Sequence, residues 1–154
     1  VQEGGTLVIT GAANRTYSGP LAGGGAVTKS GTGTQTLAGD STFFGSLTID
    51  NGTVFVANGS GSATGLGTIQ VNSGGRLAGS GTVLGNVTVA SGGVVTGGFP
   101  GTAVLTLGGT TTLGGGTFAV GLNGPDPGTG YDQVSLGGDG VIVLTGSTLS
   151  VTLG

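Results

Sequence analysis

One arrangement recurs along this chain: a short alternating apolar run, a glycine-bearing corner, a second alternating run, and then more glycine. "SLTIDNGTVFVANG" occupies residues 46–59, "TIQVNSGGRLAGSG" starts at Thr68, "NVTVASGGVVTGG" at Asn86 and "VLTLGGTTTLGGG" at Val104. The first apolar residue of each unit is Leu47, Ile69, Val87 and Leu105, giving steps of 22, 18 and 18 by subtraction. Two residues on stand Ile49, Val71, Val89 and Leu107, and the second arms supply Val54, Leu77, Val95 and Leu113. A period near 20 residues with like residues at like positions means stacking of like on like.

Two architectures produce such a pattern. Asn51-Gly52 between alternating runs is the usual signal of a β-hairpin, and a chain of hairpins would make a meander or sandwich. In a β-solenoid the same dipeptide turns a corner within one coil. Forty of the 154 residues are Gly, and corners repeated in every coil need positive φ or close backbone approach at fixed places. The sequence therefore predicts a single all-β solenoid over residues 1–154, with coils of roughly 20 residues. Leu47, Ile69, Val87 and Leu105 should form one inward ladder, with Thr48, Gln70, Thr88 and Thr106 pointing outward. Seven or eight coils spaced about 4.8 Å apart make a rod about 35 Å long.

Helix has little support. Gly, Thr and Val are poor helix formers, and no window keeps apolar residues at helical spacing. Charged residues are 6% of the chain, against roughly 25% in an ordinary domain. With Arg15, Lys29 and Arg76 as the only cations and a net charge of −3, nucleic acid is excluded as a partner. No run has the length of a membrane-spanning helix. The chain begins with Val and has no Met, as expected of a processed chain or an excised piece.

Residues 26–56, "AVTKSGTGTQTLAGDSTFFGSLTIDNGTVFV", resemble the passenger-associated transport repeat of bacterial autotransporters. The stretch Val27-Thr28-Lys29-Ser30-Gly31-Thr32-Gly33-Thr34 follows that pattern closely, as do Thr36-Leu37-Ala38-Gly39 and Gly52-Thr53-Val54-Phe55-Val56. Gln35 departs from it, where an apolar residue is usual, and so do Phe43-Phe44. Residues 67–154 carry weaker versions of the repeat and resemble segments that follow it in such surface proteins. The resemblance implies a right-handed parallel β-helix, secreted to the bacterial surface as part of a passenger stalk.

The residue types limit the chemistry. Without His or Cys, Ser-His-Asp and Cys-His catalysis are ruled out within this chain, and zinc lacks its ordinary ligands. Asp126, Asp132 and Asp139 are the one group of neighbouring acids. They admit an acid pair for glycoside hydrolysis or part of a calcium shell, but beside Gly and Pro they read more simply as turn caps. Neither a catalytic residue nor a cofactor is assigned, and the chain is expected not to be an enzyme. Tyr17, Phe43, Phe44, Phe99 and Tyr131 raise the question of a sugar-stacking platform, but they sit at unrelated places in the repeat, and aromatics capping glycine-rich corners or filling the core are the more ordinary explanation. Asn14, Asn51, Asn58 and Asn86 each begin Asn-x-Ser/Thr, a pattern that chance produces in so Asn-, Ser- and Thr-rich a chain.

The expected role is structural: a stiff stalk or extracellular fibre unit. Two further readings stay open. Strand-like segments around Val8 and Val151 carry neither Lys nor Pro to blunt an edge, which suggests self-association end to end. An adhesin or glycan-binding module is the other.

Overall fold

The computed structural model covers residues 1–154. It contains seventeen strands and no helix, as the β-branched, Gly-interrupted sequence requires. In the first sheet Thr6–Ile9, Ala26–Lys29, Ser46–Ile49, Thr68–Val71, Val87–Ala90, Thr110–Gly114 and Val141–Thr145 lie side by side in chain order. In the second sheet Arg15–Tyr17, Thr34–Leu37, Gly52–Val56, Gly75–Gly79, Val94–Thr96, Thr117–Leu122 and Thr148–Leu153 do the same. A third sheet, Thr82–Val83, Val104–Leu107 and Gln133–Leu136, develops only in the later coils. Every strand pairing is parallel. The chain is a parallel β-solenoid.

Ser46–Ile49 and Gly52–Val56 belong to different sheets, so Asn51-Gly52 is a corner and not a hairpin. Gly52 has φ +71°, and Gly74, Gly92, Gly115 and Gly146 hold the same corner in later coils at +89°, +79°, +80° and +62°. That left-handed conformation is open to Gly at little cost and strains residues carrying a Cβ. One device thus turns the chain from the first sheet to the second, coil after coil.

The inward ladder holds where the steps are regular. Leu47 faces Ile69, Ile69 faces Val87, and the ladder runs back through Val27 to Leu7. Leu47, Ile69 and Val87 are at most 2% exposed, whereas Thr88 is exposed. Leu105 departs from expectation. The partner of Val87 is Thr111, and Leu105 is buried in the third sheet opposite Val134, while Thr106 there pairs with Thr82 and is half-buried. Leu113 likewise faces Val89 in the first sheet, and Val95 faces Phe118. The cause is the segment 97–103, "GGFPGTA", which loops out before the third-sheet strand and lengthens the coil. Measured along the ladder Leu7, Val27, Leu47, Ile69, Val87, Thr111, Ile142, the coils are by subtraction 20, 20, 22, 18, 24 and 31 residues. Seven strands deep, the first sheet measures about 30 Å along the axis.

Eighteen buried apolar residues from all three sides form one cluster, among them Phe43, Ile49, Val56, Leu77, Val89 and Leu107. Burying such an aliphatic side chain contributes roughly 1.5–3 kcal/mol each, which is how a chain so rich in Gly holds together. Three polar residues interrupt the inward ladders. Lys29 lies between Ile9 and Ile49, Gln35 between Arg15 and Val54, and Thr111 between Val87 and Ile142.

Candidate functional site

The Lys29 side chain is 1% exposed and runs inside the rod to the first-to-second-sheet corner. Its ammonium donates hydrogen bonds to the carbonyls of Gly31 and Asn51. Burial pushes the ammonium down from its ordinary value of 10.5, because a low-dielectric surrounding disfavours the charged form. Lys29 is thus a staple between two coils. Its position in an alternating apolar run gave no sequence signal of burial.

Side-chain oxygens tie other corners together. The carbonyls of Asn14, Asn58 and Asn86 accept the backbone N–H groups of Thr34, Thr82 and Thr110 at 2.9, 2.9 and 3.0 Å, across 20, 24 and 24 residues. Each amide therefore continues the ladder around a bend where strand pairing lapses. The coil-like recurrence of these Asn residues was the signal that would have exposed their role.

The three candidate acids are dispersed in function. Asp126 and Asp139 are exposed. The Asp126 carbonyl accepts the N–H groups of Gly130 and Tyr131, closing a turn. Asp132 is only 8% exposed. Its carboxylate accepts hydrogen bonds from the Thr96 hydroxyl at 3.2 Å, the Ala103 N–H at 3.2 Å and the Gly121 N–H at 2.9 Å. It is therefore a pin between coils and not a turn cap. The three do not converge into a group that could hold a metal ion.

Of the aromatic residues, Phe43 is core, while Tyr17, Phe44 and Phe99 are exposed. Phe99 alone meets a chemically distinctive partner. Thr53, Arg76, Val94 and Thr117 occupy successive coils on the outward side of the second sheet. The 97–103 loop folds over that face and sets the Phe99 ring against Arg76, with the guanidinium carbon 4.1 Å from the ring centre. The guanidinium is half-buried, and burial pushes it down from its ordinary value. Beside the pair lies a hollow of about 340 Å³ that Asp132, Asn123 and Thr152 also line. A second hollow of about 330 Å³, lined by Thr32, Thr53 and Val94, lies across it and shares Arg76 and Phe99. Phe99 is one of the aromatic residues that raise the question of sugar stacking, but no spacing pairs it with Arg76, since the two stand a coil apart and meet only because the loop doubles back.

At the N-terminal end the inward ladders are uncovered. Leu7, Ile9, Tyr17, Leu21, Leu37 and Leu47 line a cavity of about 410 Å³. At the opposite end Leu144, Leu149, Val151 and Leu153 are exposed.

No helix is long and apolar enough to cross a membrane. No curated protein matches the chain. A family model described as the passenger-associated-transport-repeat matches residues 27–54. The match begins at the ladder residue Val27 and ends at Val54, enclosing the Lys29 staple and the Gly52 corner. Residues 27–54 are thus similar to a passenger-associated-transport-repeat.

Proposed function

We propose that the chain is a non-catalytic structural segment of a secreted bacterial surface protein, serving as a stiff stalk. The observation that carries this reading is the continuity of two parallel sheets around one apolar cluster, with ladder pairing from Thr6 to Leu153. At each coil boundary an axial load is shared by the parallel strand pairs of two or three sheets. Stiffness also protects the chain from proteases, which need local opening. Of the three trypsin sites, Arg15 is exposed, Arg76 half-buried and Lys29 buried. Limited trypsin digestion should cut after Arg15 and leave the remainder whole. Rapid native cleavage after Lys29 would defeat the stiff-stalk reading.

A second reading, end-to-end self-association, is favoured by the apolar cavity at one end and the exposed Leu149, Val151 and Leu153 at the other. Head-to-tail stacking would set Val141–Thr145 on Thr6–Ile9 and Thr148–Leu153 on Arg15–Tyr17. Edge strands pair readily when unblunted, and a contact that does not close on itself propagates a fibre. Sedimentation over a wide concentration range is the test. Assembly abolished by Val8→Lys with Val151→Pro supports it, and a monomer at every concentration removes it.

A further inference from the structure

We propose that the Arg76–Phe99 pair and the hollows on its two sides form a binding site for a neutral saccharide. This inference does not depend on the stalk reading, because a stalk needs neither the loop nor the pair.

The argument starts from Arg76. A half-buried guanidinium carries five donors, and no protein group accepts a hydrogen bond from this one. The carboxylate sharing its hollow, Asp132, is engaged instead by Thr96, Ala103 and Gly121. Phe99 covers part of the guanidinium yet keeps 40% of its own surface exposed. A fork of donors that no protein group engages, open to solvent beside an exposed ring, is the combination that receives the hydroxyls and the apolar face of a pyranose.

Charge decides the class. One cation and one carboxylate line the larger hollow, so its formal charge is zero and an anionic ligand gains little net attraction. A ligand with many donors and acceptors and no charge fits better. The remaining lining is chiefly Gly, Thr and Asn, which disfavours an apolar small molecule. A peptide adding as a strand needs a free sheet edge, and this is a sheet face beneath a loop. Each hollow is at the small end of ordinary ligand pockets, roughly 300–1,000 Å³. Two such hollows sharing one wall suit consecutive rings of an oligosaccharide.

The experiment is ligand-observed and protein-observed NMR on the whole chain. Its probes are neutral hexasaccharides of glucose, galactose, mannose and N-acetylglucosamine, with hexagalacturonate as the acidic comparison. At least one neutral hexamer should bind and shift the Arg76 Nε–H and Phe99 ring signals. Arg76→Gln and Phe99→Leu should each weaken that binding tenfold or more while the unfolding midpoint stays put. If Arg76→Gln unfolds the chain, Phe99→Leu decides alone. Binding of hexagalacturonate in preference to every neutral sugar, no neutral binding at millimolar concentration, or undiminished binding by a folded Phe99→Leu variant would each overturn the proposal.

Discussion

The Lys29 ammonium donates to the Asn51 carbonyl at 3.3 Å, joining residues 22 positions and one coil apart. A charge is thereby held inside an aliphatic ladder, satisfied by two carbonyls at a bend. Such a group costs stability while protonated, because carbonyls replace only part of its hydration.

The sign of the pH dependence follows. The folded state has lowered the Lys29 value below the 10.5 of the unfolded chain. Between those two values the unfolded chain holds a proton that the folded chain has released, so stability rises with pH. Urea midpoints should therefore climb as pH approaches 10.5 from below and level off beyond it. Lys29→Met should flatten the climb. A slope that survives the substitution assigns it to another group.

Thr111 should be improvable. Its hydroxyl is buried without a hydrogen-bond partner, and its ladder neighbours are Val87 and Ile142. Thr111→Val keeps the shape and removes an orphaned polar group, so it should stabilise the fold by about 1–2 kcal/mol. Chemical denaturation checks it. A loss of stability would mean that the hydroxyl has an acceptor in solution.

Neighbouring residues should differ sharply at the centre of the rod. Val87 is 1% exposed and Thr88 is exposed. An unpaired carboxylate at Val87 would lie in the apolar cluster, whereas at Thr88 it meets water. Val87→Asp should abolish cooperative unfolding, and Thr88→Asp should change stability by less than about 0.5 kcal/mol. Equal outcomes would refute the register of the first sheet.

Asp132 should not behave like its neighbours in sequence. Asp132→Asn leaves one accepting oxygen for donors that reach both oxygens of the carboxylate. If that oxygen keeps the Thr96 hydroxyl and the Gly121 N–H, the Ala103 N–H faces an NH2 group, so the change should cost about 1–3 kcal/mol. Asp126→Asn and Asp139→Asn, at exposed positions, should cost less than about 0.5 kcal/mol each. Thermal unfolding of the three single variants separates a pin from two surface turns. Equal midpoints would remove the structural role given to Asp132.

What was legible in the sequence was whatever the period carried. Leu47, Ile69 and Val87 announced their ladder because alternation and near-constant spacing coincide there. Leu105 carried the same alternation at the same spacing and still belongs to another sheet. An alternating run before glycine looks alike on every side of a coil, and only the length taken up by residues 97–103 distinguishes them. Lys29 was invisible for a different reason: charge at an inward position contradicts the pattern that defines inwardness. The Asp132 and Arg76 contacts depend on loops crossing between coils, which no local spacing encodes.

The coils vary from 18 to 31 residues, the two longest coming last, yet each strand is hydrogen-bonded only to the coil before and the coil after. No contact in the ladder waits for a distant part of the chain. A polypeptide emerging end first from a narrow passage would need nothing but its most recent turn as a template, so completed turns would act as a ratchet against its return. The same locality leaves room for novelty: one side of a coil can take on an excursion such as residues 97–103 while the other two keep their register, and a plain rod gains a surface feature without relearning how to fold.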